Sequence, residues 1–302
     1  TNLQRHVGTL RETAIQGLEV VAKADATTTD EQRYNLYYIK GYSYLLAGEY
    51  FRALPVENGG EVKGWKENLN LAISTFTEAL KFTSDTDETA FINTLIARAY
   101  YRLGDKVNAV KYASNVLTLS TDFTKQVTFD GENNVISSIQ GYIYGTNFQP
   151  LPRLDFLDPK YFQTKAKEAR PICIAKAEEP YLILAEAALA DNDVNGAKGF
   201  LKTLLTLVSN RPVATDINDQ LEGRYNGGYK EYPNSSEYRV AASSEDEFRS
   251  GLVLDRQSPH LISVPYISGT SVTEEMIDAP TTVDGLLEVL YLMRQEIFMA
   301  EG

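Results

Sequence analysis

One stretch of this sequence constrains the fold more than any other. Ile92, Leu95, Ile96, Ala99, Tyr100 and Leu103 recur at i, i+3, i+4, i+7, i+8 and i+11. Gly104-Asp105 follows as a turn, and Ala109, Tyr112, Ala113, Val116 and Leu117 repeat the pattern. Apolar residues at that spacing form one face of a helix. Two such helices on a short turn lie antiparallel and bury their facing stripes. The grammar returns downstream. Tyr181, Leu184, Ala185, Ala188 and Leu189 form one stripe, Asp191-Asn192-Asp193 the turn, and Ala197, Phe200, Leu201, Leu204 and Leu205 the second stripe. Pro180 stands near the helix start, where its missing N–H costs little. Ala109 and Ala197 each follow their turn closely and allow two helices to approach. This is the physics of tetratricopeptide-type hairpins without their period of about 34 residues.

Further helices flank these hairpins. Leu3, Val7, Leu10, Ala14, Leu18 and Val21 make a first stripe. Asp30 is a candidate N-cap for a helix from about Glu31 to Ala47, with Gly48 expected to end it. Pro55 to Gly64 is a breaker-rich loop, with Trp65 directly after it. Leu69, Ala72, Ile73, Phe76 and Leu80 mark the next helix, and Leu286, Leu290, Met293 and Ile297 a last one from about Val283 to Ala300. The expected class is therefore mainly α: tetratricopeptide-like helical hairpins with long irregular insertions and a few short strands. One domain over 1–302 is expected, with its scaffold at about 1–120 and 166–211 plus a final helix at 283–301. The insertions fall at about 121–165 and 212–282. In the first of them, Gln126 to Phe129 and Ile139 to Tyr144 are rich in β-formers and read as short strands.

Charge narrows the partners. Lys and Arg number 29 against 41 Asp and Glu, a formal net charge of −12. Nucleic-acid binding runs on clustered cations, and so does docking on anionic lipid; neither is expected. Cys173 is the single cysteine, so no internal disulfide and no multi-cysteine zinc site can form. No apolar run reaches the roughly 18 residues of a membrane span, and the opening Thr1-Asn2-Leu3-Gln4-Arg5 has no apolar signal core.

Catalytic signatures are missing. His6 and His260 lie outside any His-Glu-x-x-His arrangement, and there is no Gly-x-Ser-x-Gly elbow, Walker loop or dinucleotide fingerprint. Asp191 to Gly196 matches the first half of a calcium loop, but Lys202 occupies the position of the closing bidentate glutamate. A structural turn is the simpler reading. No catalytic residue, metal ligand or cofactor is assigned. Paired acids could support glycoside hydrolysis, yet no local motif distinguishes any pair among the 41.

The aromatic residues are more informative, with 19 Tyr and 12 Phe but one Trp. Saccharide recognition uses exposed aromatic faces together with amide and guanidinium groups. Arg224, Tyr225, Asn226, Tyr229, Tyr232 and Tyr238 concentrate that chemistry in one segment. Tyr142 and Tyr144 form a second candidate and Trp65 a third. Each also has a structural reading, as strand packing for Tyr142 and Tyr144, as a staple between loop and core for Trp65, and as a loop over a groove for the tyrosine cluster.

Three segments stand out together: Thr94-Leu-Ile-Ala-Arg-Ala-Tyr-Tyr-Arg-Leu-Gly-Asp105, Glu179-Pro-Tyr-Leu-Ile-Leu-Ala-Glu-Ala187 and Arg294-Gln-Glu-Ile-Phe-Met-Ala-Glu-Gly302. In their order and spacing they resemble the SusD/RagB group of nutrient-binding outer-membrane lipoproteins. Glu296 and Glu301 stand one residue further apart than in the commonest form of that last signature, and the lipid-bearing cysteine is absent. The resemblance implies a non-catalytic cell-surface protein of the outer membrane, lipid-anchored at full length. It would bind an oligosaccharide or other nutrient and deliver it to a TonB-dependent, SusC-like transporter. It carries over no particular ligand residue. The hairpins alone also allow an intracellular helical-repeat scaffold that binds protein segments, and a glycoside hydrolase is the third reading.

Overall fold

A computed structural model describes residues 2–144, 159–161, 163–165, 167–218 and 261–301. The chain is mainly helical, and its strands form three two-stranded sheets among the described residues. Two compact units are distinguished. One contains Thr1–Thr124 and Ala175–Ala187, the other Lys125–Ile174 and Ala188–Gly302.

The first unit opens with α1 (Asn2–Gln16), which continues through a π turn, Gly17–Val21, to Ala24. Its stripe is only partly covered, since Val7 and Ala14 are buried while Leu3 and Val21 are exposed. Helix α2 (Asp30–Tyr50) is capped by Thr29 rather than Asp30. The Thr29 hydroxyl accepts from the Gln32 N–H and the Gln32 side chain accepts from the Thr29 N–H. This reciprocal box satisfies two donors that a helix start otherwise leaves open.

Gly48 does not end α2 as the sequence suggested. It lies inside the helix, because α2 packs along α3 (Trp65–Ala79) there. A Cβ on Gly48 would sit 2.6 Å from Leu69 Cγ, and one on Gly41 2.6 Å from the Phe76 ring. Both glycines serve close helix approach. The chain leaves α2 extended at Phe51 and makes a hairpin of β1 (Ala53–Pro55) and β2 (Val62–Gly64), pairing Leu54 with Lys63.

The expected hairpin follows as α4 (Thr86–Leu103) and α5 (Lys106–Leu119), packed side by side. Gly104 takes the left-handed conformation, φ 77°, that closes a helix cheaply only with glycine. The Asp105 carboxylate accepts from the Asn108 N–H and caps α5. Ile92, Leu95, Ile96, Ala99, Ala113 and Val116 are fully buried, and Tyr100 stacks on Tyr112 at 5.6 Å. Each large buried apolar side chain contributes about 1.5–3 kcal/mol.

Helix α7 (Glu178–Ala190) supplies Glu179 and Glu186 to this unit. Arg98 donates from Nε and Nη2 to Glu179 at 2.7 and 2.6 Å, and Tyr101 donates to Glu186 at 2.9 Å. Burial opposes the charge on Arg98, but the Glu179 carboxylate outweighs it and holds the guanidinium above its ordinary pKa.

In the second unit, β3 (Thr124–Val127) begins two residues before the strand expected at Gln126. The expected strand at Ile139 to Tyr144 is instead helix α6 (Ser138–Tyr144). Gln140 explains the difference. Its N–H bonds to the Ser137 hydroxyl, and its buried amide bonds to the Glu168 carbonyl and the Arg170 N–H. Those contacts override a β-rich local composition.

Arg170 is fully buried among β4 (Ile172–Lys176) and its approaches. It donates to Lys160 O, Glu168 Oε1 and Pro265 O, and its guanidinium lies 3.9 Å from the centre of the Tyr266 ring. Asp193 accepts from the Gly196 N–H at 2.8 Å and so caps α8 (Val194–Ser209), while Asn192 takes φ 60°. The calcium-like segment is thus a helix-initiating turn, and Lys202 pairs with Asp278 and Glu274.

Strand β5 (Val213–Asn218) pairs antiparallel with β6 (Leu261–Pro265), with a register shift between Ala214 and Ile217. Helix α9 is Glu274–Asp278. In α10 (Val283–Ile297), Leu286, Leu290, Met293 and Ile297 are all fully buried, as their spacing required. Glu296 accepts from the Thr270 hydroxyl and from the N–H and hydroxyl of Ser271 at 2.6–2.7 Å. Glu301 pairs with the buried Lys160 at 3.0 Å. Among the described residues, no helix is long and apolar enough to cross a membrane.

Candidate functional site

Trp65 is the one sequence-nominated residue whose side chain is described. It is the first residue of α3, placed by a chain of backbone and side-chain bonds. Its N–H donates to Arg52 O at 3.0 Å, which closes the base of the β1–β2 hairpin. The Glu67 carboxylate accepts from the Gly64 N–H, and buried Asn68 donates to the carbonyls of Lys63 and Gly64. An acid in the first turn also suits the helix dipole.

Around the half-buried indole lies a surface concavity of ≈ 540 Å³, lined by Gly48, Glu49, Tyr50, Phe51, Arg52, Trp65 and Arg102. Five sequence-local residues, Gly48 to Arg52, come from the end of α2 and its exit, and Arg102 comes from the last turn of α4. Phe51 packs on the core cluster of Val7, Ala47 and Leu54, so its ring is largely structural. Tyr50 is 51% exposed. Lys66 places its ammonium 5.2 Å from the Trp65 ring centre, within cation–π range. The Glu49 side chain is 4% exposed and accepts from Arg102 Nε at 3.1 Å, while the Arg102 side chain is 52% exposed. Arg52 is exposed.

This arrangement has one indole, one exposed phenol, two guanidiniums and one paired carboxylate. It can stack on an apolar ring face and offer donors to hydroxyl or carboxylate oxygens. A second concavity of ≈ 600 Å³ lies between α1 and the β1–β2 turn, lined by Arg5, Arg11, Glu12, Thr13, Glu57 and neighbours. Arg11 there is 5% exposed, and its Nε and Nη1 have no hydrogen-bond partner among the described residues. No aromatic side chain lines it. No group of three or more His, Cys, Asp or Glu among the described residues could hold a metal ion.

The other nominated residues stand differently. Tyr142 and Tyr144 lie in α6, not in a strand or loop. Arg224, Tyr225, Asn226, Tyr229, Tyr232 and Tyr238 lie outside the described residues. Sequence reasoning missed Glu49, Tyr50, Arg52 and Arg102. A signal for three of them was present, since Glu49-Tyr50-Phe51-Arg52 puts two rings and two charges between a helix and a proline. Nothing in the sequence placed Arg102 beside them.

No family model and no curated protein sequence matches the chain. The solved structures similar to it include two from Bacteroides vulgatus. One is described as a SusD-like carbohydrate binding protein, with 16% identity and a TM-score of 0.47 over 72% of this chain and 63% of that one. The other is described as a sugar binding protein, with 15% identity and a TM-score of 0.46 over 68% of this chain and 64% of that one. The chain thus spans somewhat less than two thirds of the length of either.

Proposed function

We propose that this chain is a non-catalytic, SusD-like glycan-binding protein, and that Trp65 and Tyr50 form a stacking platform for its ligand. The observation that carries this reading is the concavity itself, where an indole and an exposed phenol stand beside guanidinium groups. The motif resemblance supports it, because Arg98, Glu179, Glu186, Glu296 and Glu301 in the three segments are all engaged in internal contacts. Those signatures therefore describe a scaffold and leave ligand choice to residues elsewhere. Glycoside hydrolysis requires two acids across the bond; the concavity is lined by one carboxylate, already paired with Arg102.

In this account the full-length protein is lipid-anchored at the outer-membrane surface and passes its ligand to a TonB-dependent, SusC-like transporter. The segment holding Arg224, Tyr225, Asn226, Tyr229, Tyr232 and Tyr238 supplies a further ligand surface, as do Tyr142 and Tyr144. Binding is reversible, and no bond is made or broken.

Glycan-array binding followed by calorimetry tests the reading. Trp65→Ala should weaken the best ligand at least about tenfold, since stacked aromatic residues dominate such interfaces, while the circular dichroism spectrum is unchanged. Full affinity in Trp65→Ala would remove this concavity as the site, and product release from the bound glycan would overturn the non-catalytic reading.

A further inference from the structure

Resting on the reading of the Trp65 concavity as a glycan site, we infer that its ligand is an acidic saccharide, one whose sugar rings carry carboxylates. The chain as a whole is strongly acidic, with a formal charge of −12, so its average field repels such a ligand. The concavity departs from that average. Its lining side chains are two arginines, Arg52 and Arg102, against one glutamate, Glu49. A third cation, the ammonium of Lys66, lies over the Trp65 ring.

The one negative charge is already committed. Glu49 is almost fully buried and accepts from Arg102 Nε. That bond fixes the guanidinium at the rim while half of its side chain stays exposed. Arg52 is exposed and forms no ion pair with a described residue, and its carbonyl holds Trp65 in place. A planar guanidinium matches a carboxylate through two parallel N–H···O bonds, which neutral hydroxyls cannot reproduce. Trp65 and Tyr50 would hold the ring face, and Arg52 and Arg102 the acid group. A neutral glycan would use the platform but take only weaker, uncharged-acceptor hydrogen bonds from the arginines.

Trp65 is the single tryptophan of the chain, so its fluorescence reports this concavity alone. The test is a titration of the protein with an oligogalacturonate and, separately, with its methyl-esterified form. The acid should bind roughly tenfold or more tighter, as charge-assisted bidentate contacts are about twice as strong as neutral ones. Its advantage should shrink as salt rises. Arg52→Gln should cost the acid several-fold more affinity than it costs the ester. Arg102→Lys should do the same while retaining a cation for Glu49. Equal affinity for acid and ester, with both lost in Trp65→Ala, would overturn this inference and leave the glycan site standing. If the acid and a panel of neutral glycans all fail to perturb Trp65, both the inference and the site reading fall.

Discussion

Arg98 and Glu179 stand 81 residues apart in the chain and form a two-point ion pair at 2.6 and 2.7 Å. Their side chains are 7% and 15% exposed. Arg98 belongs to α4 and Glu179 to the first turn of α7, so the pair fixes where the chain re-enters the first unit. Breaking a buried pair by removing one partner strands the other charge, which typically costs about 3–5 kcal/mol. Arg98→Met should therefore lower the urea midpoint sharply. The double variant Arg98→Met, Glu179→Leu should recover much of that loss, since neither charge is then stranded. Additive losses in the double variant would show that the pair is not coupled as described.

Glu168 gives the second unit an acid-sensitive joint. Burial pushes its carboxyl up, but hydrogen bonds from the Thr164 N–H and hydroxyl, with the charge of Arg170, outweigh burial and hold it below the ordinary carboxylate range. A group whose folded pKa is depressed adds stability above its unfolded pKa and loses it as pH falls through the folded value. Melting temperature should thus decline from about pH 5 downward, where unfolded carboxylates begin to take up protons. Thr164→Val should flatten that decline. An unchanged acid slope in Thr164→Val would exclude Glu168 as a contributor.

The hairpin α4–α5 was legible because local and tertiary demands coincide there: an unbroken apolar stripe, a glycine with φ 77° and an aspartate cap. Gly48 was misread because a glycine near a helix end looks alike whether it stops the helix or admits a neighbour. Only the position of Leu69 separates the two. Ile139 to Tyr144 was misread because the helix there depends on Gln140 reaching Glu168 and Arg170, about 30 residues away. Trp65 could be nominated from the sequence. The concavity could not, because it arises where the ends of α2 and α4 meet the start of α3.

Gly48 links the scaffold to the concavity. An added Cβ would lie 2.6 Å from Leu69 Cγ and 3.0 Å from Trp65 O. Overpacking of this kind typically costs about 1–3 kcal/mol. Gly48→Ala should lose stability in that range and also shift the Trp65 emission maximum, because relief of the clash displaces the start of α3. Full stability with unchanged emission would show that the α2–α3 contact is looser than described.

Trp65 is the chain's single tryptophan, so ligand binding beside it can be read directly. Calorimetry and Trp65 fluorescence should be followed in one titration with the best glycan from an array. Trp65 emission should change saturably, with the same midpoint as the heat signal. Saturable heat with no change in Trp65 emission would place the ligand elsewhere and exclude Trp65 as the binding platform.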